Sequence, residues 1–179
     1  MGEPSRPVDP NAVYALGQNP EESARLQRQA DELAPESTMV LDRTTLAPGQ
    51  SAVDLGCGPR GVIDLLAARV GPDGRVVGID ADPAHVAMAS EFAAGLGSRN
   101  VEVVAADARS TGLPSGSFDL VHARTLLITV PEPAAVAAEM IRLARPGAGW
   151  AMSRLSRLTP GAPGCRRDRS TWCTLAPCS

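Results

Sequence analysis

Three aspartates and a run of glycines follow short apolar segments, and together they could hold a charged small molecule. The stretch VDLGCGPRG contains Gly56, Gly58 and Gly61 in the spacing G-x-G-x-x-G. This spacing is typical of a turn between a strand and a helix where the backbone approaches a nucleotide. Asp54 stands two positions before the first glycine. A carboxylate there would repel a pyrophosphate and attract a cation. The glycine spacing alone therefore does not decide which nucleotide the turn binds.

Two more aspartates follow apolar runs further along the chain. Asp80 ends RVVGID, and Asp107 follows VEVVAA. A carboxylate at the end of a second strand accepts hydrogen bonds from a ribose diol in dinucleotide-binding and adenosine-binding folds alike. The alternative for Asp80 is the N-cap of the next helix, but Asp82, directly before Pro83, is the better cap. The alternative for Asp107 is a capping acid in a loop.

Elements that could bring these acids together alternate along the chain. Apolar runs predict strands at Ser51–Leu55, Arg75–Asp80, Val101–Ala105 and Phe118–Arg124. Helical periodicity predicts helices over residues 61–70, 83–96 and 131–144. The alternation indicates an α/β fold with a Rossmann-like, doubly wound and mostly parallel sheet. We therefore expect the three aspartates at one edge of the sheet, where the carboxyl ends of the strands meet.

The segments on either side of this region differ from it in character. Before it, residues 19–34 and 34–46 predict two helices, the first amphipathic with Leu26, Ala30 and Leu33 on one face. From residue 152 onward the chain has no clear periodicity and carries five Arg against one acid. We expect N-terminal cap helices in residues 1–46, a ligand-binding domain in 47–151 and an irregular basic tail in 152–179.

Composition argues against several classes of function. The formal net charge of −3 disfavours a nucleic-acid partner, and all 17 basic residues are Arg, a bias typical of a GC-rich bacterial gene. We see no signal peptide and no long apolar run, so we expect a cytoplasmic protein without a membrane span. Besides Cys57, the cysteines are Cys165, Cys173 and Cys178, whose spacing fits neither a zinc site nor a disulfide framework. We expect free thiols and no metal.

Five signals taken in order distinguish between the possible nucleotides. They are an acid before the glycine turn, an acid ending the second strand, an acid after the third, then FDLV and RPGAG, all between Val53 and Gly149. Dinucleotide-binding domains do not share this arrangement. In it the chain resembles the class I S-adenosylmethionine-dependent methyltransferases over most of its length.

The resemblance implies that S-adenosylmethionine is the cofactor. Its sulfonium and ammonium groups are cations, which gives Asp54 a physical role in positioning the methionine part, directly or through water and turn amides. The further contacts that the resemblance implies are backbone contacts from Gly56, Cys57 and Gly58, ribose contacts from Asp80, and adenine contacts from Asp107 and Ala108; Ala81 is also expected to bind the cofactor.

Two polar residues at the end of the fourth strand are candidates for the reaction itself. His122 is the candidate general base, which is needed only if the acceptor must lose a proton. Arg124 could meet the carboxylate of the cofactor or an anionic acceptor. For both residues the alternative is orientation or packing at the rim of the sheet. We expect the second histidine, His85, to lie on the surface.

The N-terminal segment resembles the helical cap that closes over the cofactor in small-molecule methyltransferases. Tyr14, Arg25 and Gln29 could reach the methionine end from there, and the last two share a helical face. The alternative is ordinary surface polarity with one anchoring aromatic ring.

The C-terminal segment departs from the family pattern. The family sheet continues with an apolar fifth strand and a final hairpin, whereas this chain continues with AMSRLSRLTPGAPG. We expect incomplete C-terminal strands and an exposed edge on the fourth strand, which would favour self-association. The abrupt change of composition between Gly147 and Trp150 suggests a truncated or frame-shifted product.

The function predicted from these residues is methyl transfer from S-adenosylmethionine to a small-molecule acceptor. One alternative is a catalytically silent, truncated remnant that still binds the cofactor. A further alternative, supported by the glycine spacing alone, is an NAD-binding oxidoreductase.

Overall fold

A five-stranded sheet forms the centre of the molecule, for which the computed structural model describes residues 20–153. The strands are β1 (Ser51–Leu55), β2 (Arg75–Asp80), β3 (Val101–Ala105), β4 (Phe118–Arg124) and β5 (Ala144–Ser153). All are parallel, in the order β3-β2-β1-β4-β5, which confirms the predicted fold class. The order reverses between β1 and β4, and open sheets of this kind bind ligands at such a point.

Helices cover both faces of the sheet. In the described part of the chain they are α1 (Pro20–Glu32), α2 (Ala34–Leu41), α3 (Ile63–Val70), α4 (Pro83–Gly95) and α5 (Pro133–Leu143). Buried side chains of α2, α3 and α4 pack on one face, and those of α5 pack on the other. The loop from β3 to β4 has no helix, and a short 3₁₀ turn, Leu126–Ile128, follows β4.

The alternation of side chains along β1 decides which face receives the first aspartate. Ala52 packs in the cluster that contains α3, whereas Val53 and Leu55 pack in the cluster that contains α5. Successive side chains of a strand point to opposite faces, so Asp54 faces α3 from within an apolar layer. A carboxylate in such a place requires hydrogen-bonding partners.

The fifth strand corrects the sequence-based expectation of an exposed edge on β4. β5 pairs with β4 in parallel up to Arg124↔Ser153, and a register irregularity lies between Phe118↔Ala144 and Leu120↔Gly149. Residues 145–148 therefore form a bulge, and Gly147 has a φ of 83°. Pro and Gly inside a strand are typical of bulges, which explains why the sequence pattern indicated a turn instead. The predicted self-association through β4 loses its basis.

Two further observations concern the predicted surroundings of the protein. No helix within residues 20–153 has the length and apolar character needed to cross a bilayer. The first two residues of the predicted basic tail, 152 and 153, belong to β5, and residues 154–179, with Cys165, Cys173 and Cys178, lie outside the described residues.

Candidate functional site

Asp54 is buried at the centre of the candidate site and bonds to two different elements. Its residue is 1% exposed, its Oδ1 lies 2.7 Å from His122 Nδ1, and its Oδ2 accepts the Val62 N–H at 3.0 Å. Asp54 and His122 are register partners on β1 and β4, so their side chains leave the sheet on the same face. The carboxylate thus joins two strands to the residue that precedes α3.

The glycine turn is packed closely at two of its three glycines. Gly56, Gly58 and Gly61 all have φ between 59° and 68°, the left-handed region that favours glycine. A Cβ at Gly61 would overlap Asp54 Oδ2, and one at Gly56 would lie 2.7 Å from Leu126 Cδ1. A Cβ at Gly58 would meet nothing within 4 Å. The open space at this end of the turn therefore lies over Gly58.

Asp80 borders the same turn from the end of β2. Its Oδ2 accepts the Gly58 N–H at 2.7 Å, and its Oδ1 accepts the Asp82 N–H at 3.0 Å. Asp82 caps α4, because its Oδ1 accepts the Ala84 N–H at 2.9 Å, as the sequence predicted. Asp80 is therefore not the helix cap, and Ala81 lies between the two acids at the start of α4.

His85 is buried, so the expectation of a surface histidine is wrong. The residue is 4% exposed, and its Nδ1 lies 3.4 Å from Asp80 Oδ1 and 4.0 Å from Asp82 Oδ2. It stands three residues after the N-cap, and its ring lies beside the two carboxylates at the end of β2. Polar residues in a first helical turn usually face solvent, which is why the sequence pattern was misleading.

Asp107 lies in a more open position, at the start of the loop that follows β3. Its side chain is 39% exposed, and its Oδ2 pairs with Arg109 Nη2 at 2.6 Å. The hydrogen bonds from Arg109 lower the pKa of Asp107. The neighbouring Ala108 is buried, and the Ala106 N–H donates to the Asp80 backbone oxygen at 3.0 Å, so the loop starts beside β2.

A buried glutamate fastens the same loop to α5. Glu139 Oε1 accepts the N–H and the hydroxyl of Thr111 at 2.9 and 2.6 Å. Arg142 donates to both carboxylate oxygens of Glu139 at 2.7 Å and to the Leu113 carbonyl at 2.8 Å. The hydrogen bonds from Arg142 and Thr111 lower the pKa of Glu139 to about 2. This network was not found from the sequence, because Thr111 and Glu139 are 28 residues apart.

Arg124 contacts α2 and the glycine turn. It donates to Ser37 Oγ of α2 at 3.2 Å and to the Gly61 carbonyl at 3.3 Å. Burial lowers the pKa of Arg124, and the charges of Asp54 and Asp64 oppose this effect. The residue therefore links the cap to the turn in this structure.

The other residues predicted at the methionine end lie in the N-terminal segment. Arg25 and Gln29 belong to α1, where Arg25 is exposed and Gln29 is partly buried. Tyr14 lies outside the described residues. Their predicted contacts with a cofactor stay predictions.

The burial of His122 does not fit the predicted role of a general base. Its side chain is 0% exposed, and its Nδ1 is held by Asp54. A general base must come within hydrogen-bonding reach of the proton it removes. The position near the end of β4 suggested exposure, but the ring is fully buried beside Asp54 of the neighbouring strand β1.

Arg60 is a residue of the turn that sequence reasoning missed. It pairs with Asp31 of α1, donates to Asp64 Oδ2 at 2.8 Å, and lies 4.7 Å from the centre of the Phe92 ring on α4. It thereby connects three helices at the glycine turn. Its position inside GCGPRG was the available signal, since an Arg beside a tight turn must find partners for its charge.

Leu126 also borders the glycine turn, and neither it nor Thr125 was predicted from the sequence. Thr125 has a φ of 59°, and in the described part of the chain it is the one residue other than glycine with a positive φ. This strained turn directs Leu126 over Gly56. Residues held in sparsely populated backbone conformations often cluster at functional sites.

Cys57 is buried in the turn, and its thiol reports on the local charge. Burial raises the pKa of Cys57, and the negative charges of Asp54 and Asp80 raise it further. Two buried carboxylates thus act on this thiol. Residues 20–153 contain no group of three His, Cys, Asp or Glu side chains that could hold a metal ion.

Known proteins with similar sequences include methyltransferases. Nocamycin O-methyltransferase of Saccharothrix syringae is 42% identical over 114 residues, which cover 63% of this chain and 40% of that protein. Aklanonic acid methyltransferase of a Streptomyces strain is 33% identical over 98 residues, which cover 55% and 44%. The chain thus spans about two fifths of the length of these relatives.

Solved structures share the fold. A methyltransferase from Aquifex aeolicus described as S-adenosylmethionine-dependent superposes with a TM-score of 0.65 at 28% identity, over 76% of this chain and 72% of that one. The cyclase SpnF superposes with a TM-score of 0.61 at 27% identity, over 68% and 44%. Residues 52–147 match the methyltransferase domain family, and this range contains the glycine turn and all three predicted aspartates. The chain therefore belongs to the methyltransferase domain family of class I S-adenosylmethionine-dependent methyltransferases.

Proposed function

We propose that this chain binds S-adenosylmethionine at the carboxyl ends of β1, β2 and β3 and transfers its methyl group to a small organic acceptor. The observation that carries the proposal is the pair of buried carboxylates, Asp54 and Asp80, which border the glycine turn beside the open space over Gly58. Two relatives are named nocamycin O-methyltransferase and aklanonic acid methyltransferase, and these names support a small organic acceptor.

The charge of the turn fits this cofactor better than a dinucleotide. S-Adenosylmethionine carries a sulfonium and an ammonium group, whereas NAD carries a pyrophosphate. The raised pKa of Cys57 reflects the negative charges of Asp54 and Asp80 at the turn, after the larger effect of burial. Negative potential attracts the cations of the first ligand and repels the phosphates of the second.

Asp80 has the capacity to accept the two ribose hydroxyls. A carboxylate offers about four acceptor positions, and the N–H groups of Gly58 and Asp82 occupy one on each oxygen. Ala81 would contact the ribose beside it, and Asp107 and Ala108 would contact the adenine from the loop after β3. Gly56, Cys57 and Gly58 would contribute backbone contacts.

Asp54 acts on the methionine part through the turn in this proposal. The carboxylate is already bonded to His122 and to the Val62 N–H, so it sets the shape of the turn. His122 is then a positioning residue. Arg124 has five N–H donors and uses two of them on Ser37 and Gly61, so it retains donors for a ligand carboxylate.

The chemistry of the bound cofactor is the donation of an activated methyl group by in-line displacement. The protein's contribution is alignment and the exclusion of water, for which the cap helices held by Arg60 and Arg124 are suited. A general base is required only for methyl acceptors that must lose a proton. In the proposal, this base is either a residue other than His122 or a group of the methyl acceptor itself.

Calorimetry with three ligands tests the binding part of the proposal. We expect the full chain to bind S-adenosylmethionine and S-adenosylhomocysteine. The variant Asp80→Asn should lower the affinity for S-adenosylhomocysteine by about tenfold or more. Asp73→Asn removes one carboxylate from an exposed turn and is the matched control. Binding of NAD with neither sulfur ligand would contradict the proposal.

A methyl-release assay over a panel of small organic acceptors tests the transfer part. The expected result is acceptor-dependent formation of S-adenosylhomocysteine. Binding without release for any acceptor would instead indicate the cofactor-binding remnant that the sequence left as an alternative.

A further inference from the structure

His85 holds a buried position between two carboxylates that the proposed reaction does not explain. It lies in the first turn of α4 and is 4% exposed. Its Nδ1 is 3.4 Å from Asp80 Oδ1 and 4.0 Å from Asp82 Oδ2. Burying an imidazole is unfavourable unless polar groups surround it, so this placement calls for a physical role.

The contacts of Asp80 show what the ring adds. The Gly58 N–H holds one carboxylate oxygen from the side of the glycine turn, and the Asp82 N–H holds the other from the start of α4. The His85 Nδ1 lies 3.4 Å from Asp80 Oδ1, the oxygen that also accepts the Asp82 N–H. An aspartate side chain has two rotatable bonds, and a third neighbour removes rotational freedom that a ligand would otherwise have to remove on binding.

Asp82 extends this arrangement to the helix. Its Oδ1 caps α4 through the Ala84 N–H, while its Oδ2 lies near the same imidazole nitrogen. The start of α4 and the Asp80 carboxylate therefore border the same imidazole. A shift of the helix start would move the carboxylate that borders the turn.

We propose that His85 is a positioning residue, which holds the Asp80 carboxylate in the orientation that accepts a ribose diol. This inference rests on the proposed function, because it takes Asp80 as the ribose-binding carboxylate. At 3.4 Å from Oδ1, the His85 Nδ1 limits the orientations open to the Asp80 carboxylate before a ligand binds.

Packing is the competing explanation for the same geometry. An imidazole that merely fills space under α4 would affect the stability of the helix and, through it, every ligand to the same extent. A positioning role instead makes the effect of a substitution depend on the hydroxyls of the ligand. A thermodynamic cycle that combines the substitution of residue 85 with removal of the ligand hydroxyls distinguishes the two explanations, because it measures the coupling between them.

The test uses the full chain with His85→Leu, His85→Asn and two ligands. The ligands are S-adenosylhomocysteine and its 2′,3′-dideoxy counterpart, measured by calorimetry. We expect His85→Leu to weaken the ribose ligand by about tenfold and the dideoxy ligand by less than about threefold. Asn places an amide near the position of the imidazole Nδ1, so His85→Asn should stay within about threefold of the wild type for both ligands.

Further variants keep the test decisive. Ser90→Ala changes an exposed hydroxyl of α4 that bonds the Val86 carbonyl and serves as the control for a general disturbance of the helix. If His85→Leu does not fold, His85→Gln takes its place. The same weakening of each ligand is expected for it, because the Gln amide extends beyond the position of the imidazole Nδ1.

The possible failures are distinguishable. Equal weakening of both ligands by His85→Leu, or no weakening of either, would overturn the positioning role while the proposed function stands. Failure of the wild type to bind S-adenosylhomocysteine would overturn the proposed function and this inference with it.

Discussion

The candidate site holds aspartates in two regions that are built in different ways. In the glycine-turn region, Asp54 is 1% exposed and is bonded to groups from β4 and from the residue before α3. In the loop after β3, the Asp107 side chain is 39% exposed and bonds to Arg109, two residues away. The first carboxylate depends on the assembled sheet, whereas the second is held by its own loop.

The difference teaches that one residue type serves two purposes at the same edge of the sheet. A buried carboxylate with fixed partners contributes to the stability of the fold, and its loss leaves those partners unsatisfied. An exposed carboxylate in an ion pair contributes little to stability and can exchange its partner for a ligand. We therefore expect substitutions in the two regions to separate stability from affinity.

The largest expected effect is the loss of stability in Gly61→Ala. The new Cβ would overlap Asp54 Oδ2 and lie 2.9 Å from the Cys57 carbonyl, at a φ of 60°. We expect a decrease in the free energy of unfolding of about 3 kcal/mol or more, measured by urea denaturation. Gly58→Ala has nearly the same φ, 59°, with open space around the Cβ, and should lose only about 1 kcal/mol. Equal losses would show that the contact with Asp54 does not matter.

The next effect concerns the buried carboxylate itself. Asp54→Asn keeps the shape of the side chain but removes the charge that His122 and the Val62 N–H contact. We expect a loss of about 2 kcal/mol in the free energy of unfolding. The control Asp73→Asn, at an exposed turn, should change it by less than about 0.5 kcal/mol. If the two variants lose the same stability, the distinction between the regions fails.

A smaller effect is expected where the loop is fastened to α5. Glu139→Gln weakens the bonds to Thr111 and Arg142, and should lower the free energy of unfolding at pH 7 by about 1 to 2 kcal/mol. The pKa of Glu139 is lowered from 4.5 to about 2, so its contribution is present above pH 4.5 and is lost as the pH falls toward 2.

The difference in stability between wild type and Glu139→Gln should therefore shrink over that range of pH. Urea unfolding at several pH values measures it, and the comparison with the variant cancels the titration of the other carboxylates. Glu132→Gln is the control, because Glu132 is 64% exposed in its pair with Arg109. A difference that persists unchanged to pH 2 would contradict the assigned network.

The smallest change in stability is expected for Asp107→Asn. Its ion pair with Arg109 is partly exposed, so the free energy of unfolding should change by less than about 0.5 kcal/mol. Under the proposed function, the affinity for S-adenosylhomocysteine should fall by about tenfold, measured by calorimetry. A loss of stability comparable to that of Asp54→Asn would remove the contrast between the two regions.

Local pattern predicted most of the architecture. The bounds of β1 to β4 agree with the structure, since each strand is a short apolar run between turn residues. β5 was missed because Pro146 and Gly147 interrupt it, and only pairing with β4 makes a bulged strand of that segment. The predicted N-cap at Asp82 is correct, because capping depends on neighbours in the sequence.

The environments of the two histidines could not be predicted in the same way. His85 was expected on the surface and is buried beside Asp80. His122 was expected to act as a base and is buried against Asp54 of β1. In both cases the partners lie on other elements, and neither helical periodicity nor strand alternation specifies which element packs above a given side chain.

The sequence by itself determined the order of strands and turns and placed acids at the strand ends, because these features depend on local propensity and on the rules of parallel sheets. Only the tertiary structure decided what each acid touches. Asp54 and His122 are 68 residues apart in the chain, and the register of β1 with β4 brings them to 2.7 Å. Burial then makes one aspartate part of the framework, while Asp107 stays partly exposed in a local ion pair, a difference that arises from packing and not from residue type.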